Sequence, residues 1–306
     1  MISSPLGRAS AIAAVSLLFA GCGGSSSTAT LPQGPSSIHQ TAQHGKSGSG
    51  DLIYAAGSNG KSYVMTYPEG KLVGTIAGTA VDACSDGVGN VYLTTSNGVE
   101  EFPHGATTPS ATFEVDGASI GCAVDPTSGD LAVTYYNESG AFLAVFSDGS
   151  GQPKVYHANT FLWYCGYDDQ GNLFANYGTE NGMGLVELPS GGSQIVAISV
   201  NPPITQFPGR IQWDGKQLTI ESGNGRKRAK GLITVKRVTL SGSTATVVGT
   251  TSFGGIKRQA QASWIFHDSI ILPFGNTSET APNLGIGNIH RAPNARKRSN
   301  IPPAEN

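Results

Sequence analysis

Three cysteines are the residues whose type and spacing could most directly do chemistry. Cys84, Cys122 and Cys165 each stand two or three residues before an aspartate in the sequence. Their thiolates could bind a metal ion, or two of them could form a disulfide. A third possibility is packing, because cysteine is small and often buried. A single zinc site usually draws on closely paired cysteines, and that pairing is absent, so packing is favoured and no metal or other cofactor is predicted.

The cysteines precede a turn that recurs along the chain. Each copy contains an apolar strand, an aspartate, one to three turn residues, a glycine and a second apolar strand. The turn glycines Gly89, Gly129, Gly171 and Gly215 follow one another at intervals of 40, 42 and 44 residues. Aspartate accepts hydrogen bonds from the backbone that follows it, and glycine supplies a positive φ, so each copy predicts a β-hairpin. A degenerate copy surrounds Asp268.

Two further apolar strands follow each hairpin before the next copy begins. Four antiparallel strands in every 40 residues or so are typical of a β-propeller blade, and about 240 residues leave room for six blades. The predicted fold is therefore all-β, a single β-propeller of six four-stranded blades over residues 51–290. Polar composition on either side predicts a flexible, disordered linker over residues 23–50 and a disordered basic tail over residues 291–306.

The repeats resemble the NHL-type and YVTN-type propellers of bacterial surface and periplasmic proteins. Residues 67–76 (YPEGKLVGTI) and 125–134 (DPTSGDLAVT) are similar to units of uncharacterised bacterial propeller lipoproteins. The resemblance covers roughly residues 51–275. It implies a fold and hardly specifies a function, because propellers host many unrelated activities.

The N-terminus predicts export. Residues 9–20 are apolar but too short to span a bilayer, and they fit the central region of a signal peptide. The following Phe19-Ala20-Gly21-Cys22 resembles a lipobox, with phenylalanine where leucine is more usual. The resemblance implies a signal peptide over residues 1–22 and lipidation of Cys22, which anchors the protein to a bacterial membrane. Gly23 stands where aspartate would favour inner-membrane retention, so the outer membrane or cell surface is preferred.

Two further groups of side chains could contact a ligand. Four aromatic residues near the predicted inner strands could stack a sugar or an apolar ligand, or simply pack between blades: Trp163, Tyr164, Tyr167 and Trp213.

A basic patch in the predicted fifth blade could approach anionic lipid, or lie solvated beside acidic blades: Arg226, Lys227, Arg228 and Lys230. Residues 1–213 hold 16 acidic and 6 basic side chains, whereas residues 214–306 hold 5 and 13. No aromatic residue interrupts the basic run, so nucleic acid is not a predicted partner.

The absence of a recognisable catalytic set favours a binding module over an enzyme. The six histidines contain no His-x-x-x-His pair, and Gly149-Ser150-Gly151 lacks the spacing of a hydrolase nucleophile motif. The expected function is a monomeric, non-catalytic binding or scaffold module for a protein, glycan or envelope ligand, with no catalytic residue. The alternative is a lactonase-like or sugar-processing enzyme with its site at the propeller channel. Asp148-Gly149 resembles the Pro-Asp-Gly turn of gluconolactonase-type propellers, although Ser147 replaces the proline.

Overall fold

The computed structural model describes residues 50–57, 60–223, 231–256, 264–266, 269–274 and 283–288, with side chains over residues 50–57, 60–223 and 233–253. In this part of the chain the secondary structure is 22 β-strands and one short 3-10 turn, Ser147–Gly149. The strands form six consecutive groups, which are the blades of a β-propeller. The predicted all-β propeller is thereby confirmed.

Each blade is an antiparallel meander in chain order. Blade one contains β1 (Leu52–Ala55), β2 (Lys61–Thr66) and β3 (Leu72–Ala77). Blade two contains β4 (Ala83–Ser85), β5 (Val91–Thr94), β6 (Gly98–Phe102) and β7 (Ala111–Glu114). Blade three contains β8 (Ala118–Val124), β9 (Leu131–Asn137), β10 (Gly140–Phe146) and β11 (Lys154–Ala158). Blade four contains β12 (Leu162–Tyr167), β13 (Leu173–Thr179), β14 (Gly182–Leu188) and β15 (Val196–Asn201). Blade five contains β16 (Phe207–Trp213), β17 (Leu218–Gly223), β18 (Gly231–Ser241) and β19 (Thr244–Ile256). Blade six contains β20 (Trp264–Phe266), β21 (Ser269–Phe274) and β22 (Asn283–Asn288).

The first strands of blades two to five are the inner strands, and they pack against one another in succession. Blades four and five are also joined at their outer edges. There, β15 and β19 pair in parallel, with Ser199 opposite Thr244 and Asn201 opposite Thr246. This edge-to-edge pairing satisfies backbone groups that an outer strand would otherwise leave exposed.

The recurring aspartates build the turns between the first and second strands. The Asp86 carboxylate accepts hydrogen bonds from the backbone N–H groups of Val88, Gly89 and Asn90, at 3.0, 2.8 and 2.8 Å. Gly89 adopts a φ of 123°, which an L-residue avoids. The predicted chemistry of the hairpin turn is therefore the one observed.

Glycines on the inner strands let neighbouring blades approach closely. A Cβ atom on Gly121 would lie 2.8 Å from the Trp163 carbonyl oxygen, and one on Gly166 would lie 2.5 Å from that of Ile211. Polar side chains on the second strands bridge the same junctions. The Thr134 hydroxyl donates to the Trp163 carbonyl at 2.6 Å. The equivalent Asn176 side chain in blade four donates to the Gly209 carbonyl in blade five, also at 2.6 Å.

The hydrophobic core is divided among the junctions between blades. One cluster joins blades two and three, and others join blades three and four, four and five, and one and two. The largest fully buried side chains include Phe102, Phe146 and Phe174. Burying each such side chain stabilises the fold by about 1.5–3 kcal/mol. The core therefore joins each of these blades to the next.

Candidate functional site

Two of the three candidate cysteines are joined to each other. The Cys84 and Cys122 sulfurs form a disulfide across the junction of blades two and three, with Cα atoms 5.7 Å apart. Cys165 is a free, buried thiol on the inner strand of blade four. Burial raises the pKa of Cys165 to about 12, although a hydrogen bond with the Thr134 backbone opposes the shift. Cys165 is therefore protonated at neutral pH and is a poor nucleophile or metal ligand.

An ion pair crosses the centre of the propeller. Arg210, on the inner strand of blade five, bonds to the carboxylate of Asp82 and, at 2.9 Å, to the carbonyl oxygen of Ala83 at the inner strand of blade two. In a ring of six blades, two and five lie opposite each other, so the Arg210 side chain bridges the channel. Both side chains are buried. The second carboxylate oxygen of Asp82 accepts the N–H of Cys122 at 3.1 Å.

The channel position recurs in blades two to five. Asp82, Gly121, Tyr164 and Arg210 each stand four residues before a turn aspartate. Burial lowers the pKa of Arg210 to about 10, and the carboxylate of Glu221 opposes that shift, so the guanidinium stays charged at neutral pH. Burial raises the pKa of Tyr164 to about 12, and Glu221 adds to the effect. Within this set, Arg210 and Asp82 form an ion pair with each other.

A row of aromatic rings lies on the face opposite the aspartate turns, where the inner strands begin. We call Tyr136, Phe161, Trp163 and Phe207 the aromatic row. Successive ring centroids are 5.0 Å apart, with interplanar angles of 55°, 68° and 69°. The two end rings, Tyr136 and Phe207, are 41% and 47% exposed. The row spans blades three, four and five and offers solvent an apolar, aromatic surface.

The four aromatic residues singled out from the sequence do not converge on one site. Trp163 belongs to the aromatic row. Tyr164 lies at the channel position, and Tyr167 is buried in the core between blades three and four. Trp213 packs against the core between blades four and five, and its indole N–H has no hydrogen-bond partner within the described residues.

Sequence reasoning missed two members of the aromatic row for which a signal existed. Phe161 and Phe207 each stand seven residues before the turn aspartates Asp168 and Asp214, so they occupy the same place at the start of two inner strands. Repetition of an exposed aromatic residue at one blade position is visible in the aligned repeats. Tyr136 gave no such signal, because it lies at the end of a second strand and joins the row only in three dimensions.

Residues 117–121 have the Gly-x-Ser-x-Gly spacing of hydrolase nucleophile motifs, a match additional to those considered above. Ser119 lies on β8 and is 2% exposed. Its hydroxyl is 2.5 Å from the Thr95 carbonyl and 2.6 Å from the Gly98 carbonyl, and its single proton is shared between them across the junction with blade two. A nucleophile elbow places its serine on an exposed turn between a strand and a helix. Ser119 instead tethers two blades.

A cavity of about 380 Å³ opens between blades two and three on the face that carries the aspartate turns. We call it the acidic cavity, after four of its lining residues, Asp86, Glu101, Asp125 and Asp148. Within the described residues, no group of three or more His, Cys, Asp or Glu side chains is placed to hold a metal ion.

Several predicted features lie outside the described residues. They are Cys22 and its lipobox, the linker, the basic patch at Arg226, Lys227, Arg228 and Lys230, and the C-terminal tail. Among the helical segments that the structure describes, none has the length and apolar character needed to cross a membrane.

No family model matches the chain, and no curated protein matches it either. Solved structures do resemble it. A protein of unknown function from Bacteroides caccae superposes with a TM-score of 0.56 and 8% identity, covering 78% of this chain and 89% of its own. The β-propeller domain of Cps50 (Swd1) from Myceliophteria thermophila superposes with a TM-score of 0.53 and 12% identity, covering 90% of this chain and 88% of its own. A functionally unknown protein from Desulfotomaculum acetoxidans superposes with a TM-score of 0.52 and 10% identity, covering 79% of this chain and 93% of its own. At such low identity these likenesses establish the propeller fold alone.

Proposed function

We propose that this protein is an exported, lipid-anchored β-propeller of the NHL/YVTN type that binds a glycan of the cell envelope without catalysis. The propeller fold in general supports a binding or scaffold role. The observation that carries the glycan proposal is the aromatic row, whose exposed end rings span three blades. Aromatic side chains bury a large area at low entropic cost, and they pack against the apolar faces of a ligand.

The channel side chains favour binding at the surface over chemistry at the centre. Arg210 and Asp82 form a buried ion pair with each other, so their charges are already engaged. The buried thiol of Cys165 is protonated at neutral pH. The lactonase-like alternative expects oxygen ligands that converge at the channel mouth, and no observation among the described residues favours it.

The disulfide supports the exported location. Cys84 and Cys122 are both buried, so their bond is part of the folded core. Disulfides of this kind persist in oxidising compartments and are rare in the cytosol. An exported protein with a lipidated Cys22 is consistent with that chemistry.

The glycan proposal is tested by titrating the protein with soluble envelope polysaccharides and following tryptophan fluorescence, to which Trp163 contributes from within the row. We expect Phe207→Ala and Tyr136→Ala each to weaken binding about tenfold, because an anchoring aromatic side chain commonly contributes more than about 1 kcal/mol. Val155→Ala is the matched control, since Val155 is 48% exposed on the outer strand of blade three. If no polysaccharide binds, or if all three variants bind alike, the proposal is wrong.

The anchor is tested separately by growing the native host with a labelled fatty acid. The protein should carry the label and remain with membranes, whereas a Cys22→Ala variant should lose both properties. A labelled Cys22→Ala variant would contradict lipidation at this residue.

A further inference from the structure

Two exposed carboxylates share the face of the propeller that carries the aromatic row. In blades three and four the inner strand runs from this face to its aspartate turn, and the second strand returns from the turn to this face. The turns that follow the second strands, between β9 and β10 and between β13 and β14, therefore lie on the face of the row. Each of these turns contains one exposed glutamate, Glu138 in blade three and Glu180 in blade four.

Both glutamates stand next to members of the aromatic row. Glu138 follows Tyr136 by two residues, just after the second strand of blade three ends. Glu180 follows Gly178 by two residues, and a Cβ atom on Gly178 would lie 3.8 Å from the indole nitrogen of Trp163. One carboxylate is thus tethered beside the ring at one end of the row, and the other is tethered beside an inner ring.

Neither glutamate has a partner among the residues that the structure describes. Glu138 and Glu180 form no hydrogen bond or ion pair there. The Asp116 carboxylate on the same face, by contrast, accepts a hydrogen bond from the Asn137 side chain at 3.3 Å. Glu138 and Glu180 are therefore available to a ligand that lies on the row.

The charge of blades three and four is strongly negative. Residues 118–201 hold eight acidic side chains and one lysine or arginine, Lys154. Lys154 begins the outer strand β11 on the face of the aspartate turns, and it lies over the ring of Tyr156, 4.9 Å from the ring centroid. A surface of one sign attracts ligands of the opposite sign and repels ligands of its own sign.

The far end of the row belongs to blade five, where the sequence is basic. Phe207 pairs with Gly223, and the run from Arg226 to Lys230 follows Gly223 in the chain before β18 begins at Gly231. That run lies outside the described residues and is no part of the site. The site is confined to the two glutamates and to the rings of blades three and four, which are Tyr136, Phe161 and Trp163.

Aromatic rings and carboxylates both favour a cation. An ammonium group within about 6 Å of a ring centroid is attracted to the negative face of the ring. A carboxylate binds the same group through charge-assisted hydrogen bonds. A sugar that carries a protonated amino group can use both, because its apolar face packs on a ring while its ammonium group reaches a glutamate. A neutral sugar uses the ring alone.

We propose that the aromatic row selects a cationic glycan, built from amino sugars with free amino groups, and that Glu138 and Glu180 bind its ammonium groups. This inference rests on the proposed function, because the same rings bind the glycan. Glycans whose amino groups are acetylated bind the rings more weakly, and polyanionic glycans are excluded by repulsion between like charges.

The test is calorimetric titration of the purified protein with soluble hexamers of glucosamine, N-acetylglucosamine and galacturonic acid, at a pH below the pKa of the sugar amino group. We expect the glucosamine hexamer to bind about tenfold more tightly than the acetylated hexamer, in line with two exposed ion pairs. The galacturonic acid hexamer should not bind. Added salt should weaken binding of the glucosamine hexamer alone, because salt screens exposed charges.

Variants of the two glutamates test their roles separately. Glu138→Gln and Glu180→Gln should each weaken binding of the glucosamine hexamer about threefold, and the double variant about tenfold. Neither change should affect the acetylated hexamer. Asp169→Asn is the matched control, because it removes an exposed charge from the aspartate turn of blade four, on the opposite face. All three positions are exposed, and the circular dichroism spectrum of each variant shows whether it is folded.

The outcomes separate this inference from the glycan proposal. If the acetylated hexamer binds as tightly as the glucosamine hexamer, and Tyr136→Ala weakens both, selection by charge is wrong and the glycan proposal stands. Equal effects of Glu180→Gln and Asp169→Asn would also overturn the inference. Hexalysine that binds as tightly as the glucosamine hexamer would show that charge alone is recognised, which contradicts an amino-sugar ligand. If no hexamer binds, the inference is wrong, and the polysaccharide titration decides the glycan proposal by itself.

Discussion

The junction between blades two and three and the junction between blades three and four use the same strand pattern but are held together differently. In the first, the Cys84–Cys122 disulfide and the hydrogen bond from Cys122 N–H to Asp82 join the inner strands. In the second, the Thr134 hydroxyl bonds to the neighbouring blade, and Cys165 packs in the core without a covalent partner. The first junction also contains the acidic cavity.

A one-residue offset explains the difference. Cys84 stands two residues before its turn aspartate, whereas Cys122 and Cys165 each stand three residues before theirs. Side chains alternate along a strand, so a shift of one residue turns a side chain to the opposite face of its blade. Cys84 therefore faces blade three, whereas Cys122 faces back toward blade two, and the two side chains meet across the junction. The residue of blade three that corresponds to Cys84 is Ala123, which shares a core cluster with Cys165. Blades that repeat in sequence can thus differ in covalent structure through a single substitution.

The largest expected effect is the loss of the existing disulfide. Cys84→Ala should lower the free energy of unfolding by about 3–4 kcal/mol, because the bond closes a loop of 38 residues in the unfolded chain. Denaturant unfolding with and without reductant measures this. The wild-type protein should lose a similar amount when reduced, and Cys165→Ala should still respond to reductant. A Cys84→Ala variant as stable as the oxidised wild type would contradict this account.

The converse change should add a disulfide to the second junction. Ala123→Cys places a thiol opposite Cys165 in the position that Cys84 occupies opposite Cys122. We expect a new bond that stabilises the protein by up to about 3 kcal/mol, less any strain. Thiol titration of the unfolded, unreduced protein should find neither residue free. The control combines Ala123→Cys with Cys165→Ala, which should retain one titratable thiol. Two free thiols in the single variant would show that the offset argument is wrong.

A smaller effect is expected from the polar bridge of the second junction. Thr134→Val keeps the shape of the side chain but removes its hydrogen bonds to the Trp163 carbonyl and the Gly121 N–H. Buried groups left unpaired cost about 1–3 kcal/mol, so stability should fall by that amount. The equivalent Thr94→Val should not loosen the junction between blades two and three, since among the described residues the Thr94 hydroxyl bonds only to the backbone at Val81 and Asp82 of its own blade. Hydrogen exchange at the inner-strand amides distinguishes the two variants.

The smallest effect concerns Glu101 in the acidic cavity. Burial and the charge of Asp86 raise the pKa of Glu101 in the folded state above its ordinary value of 4.5. The folded protein then holds the proton more tightly, so stability from this group is present at low pH and is lost as the pH rises through the folded pKa. Glu101→Gln should therefore stabilise the protein at pH 7, by less than about 1 kcal/mol because the side chain is partly solvated. The gain should vanish below pH 4.5, and its persistence there would contradict the assignment.

The sequence predicted the propeller because the repeat is local. Each Asp–Gly turn, such as the one from Asp86 to Asn90, needs only the hydrogen bonds of its own few residues, so its recurrence reveals the blades. The pairing of Cys84 with Cys122 could also have been predicted from their one-residue offset, but treating the three cysteines as equivalent concealed it.

The candidate sites were less predictable, because their members come from different blades. Arg210 and Asp82 are separated by 128 residues, and nothing local in either segment indicates that the two side chains meet across the channel. Tyr136 joins the aromatic row, and Asp148 joins Glu101 at the acidic cavity, only once neighbouring blades have packed. The amino-acid sequence by itself determined the turns, the strand period and therefore the fold, since these depend on short-range backbone chemistry. Tertiary structure alone decided which side chains share the channel, the aromatic row and the cavity, since those neighbours depend on how separate blades pack.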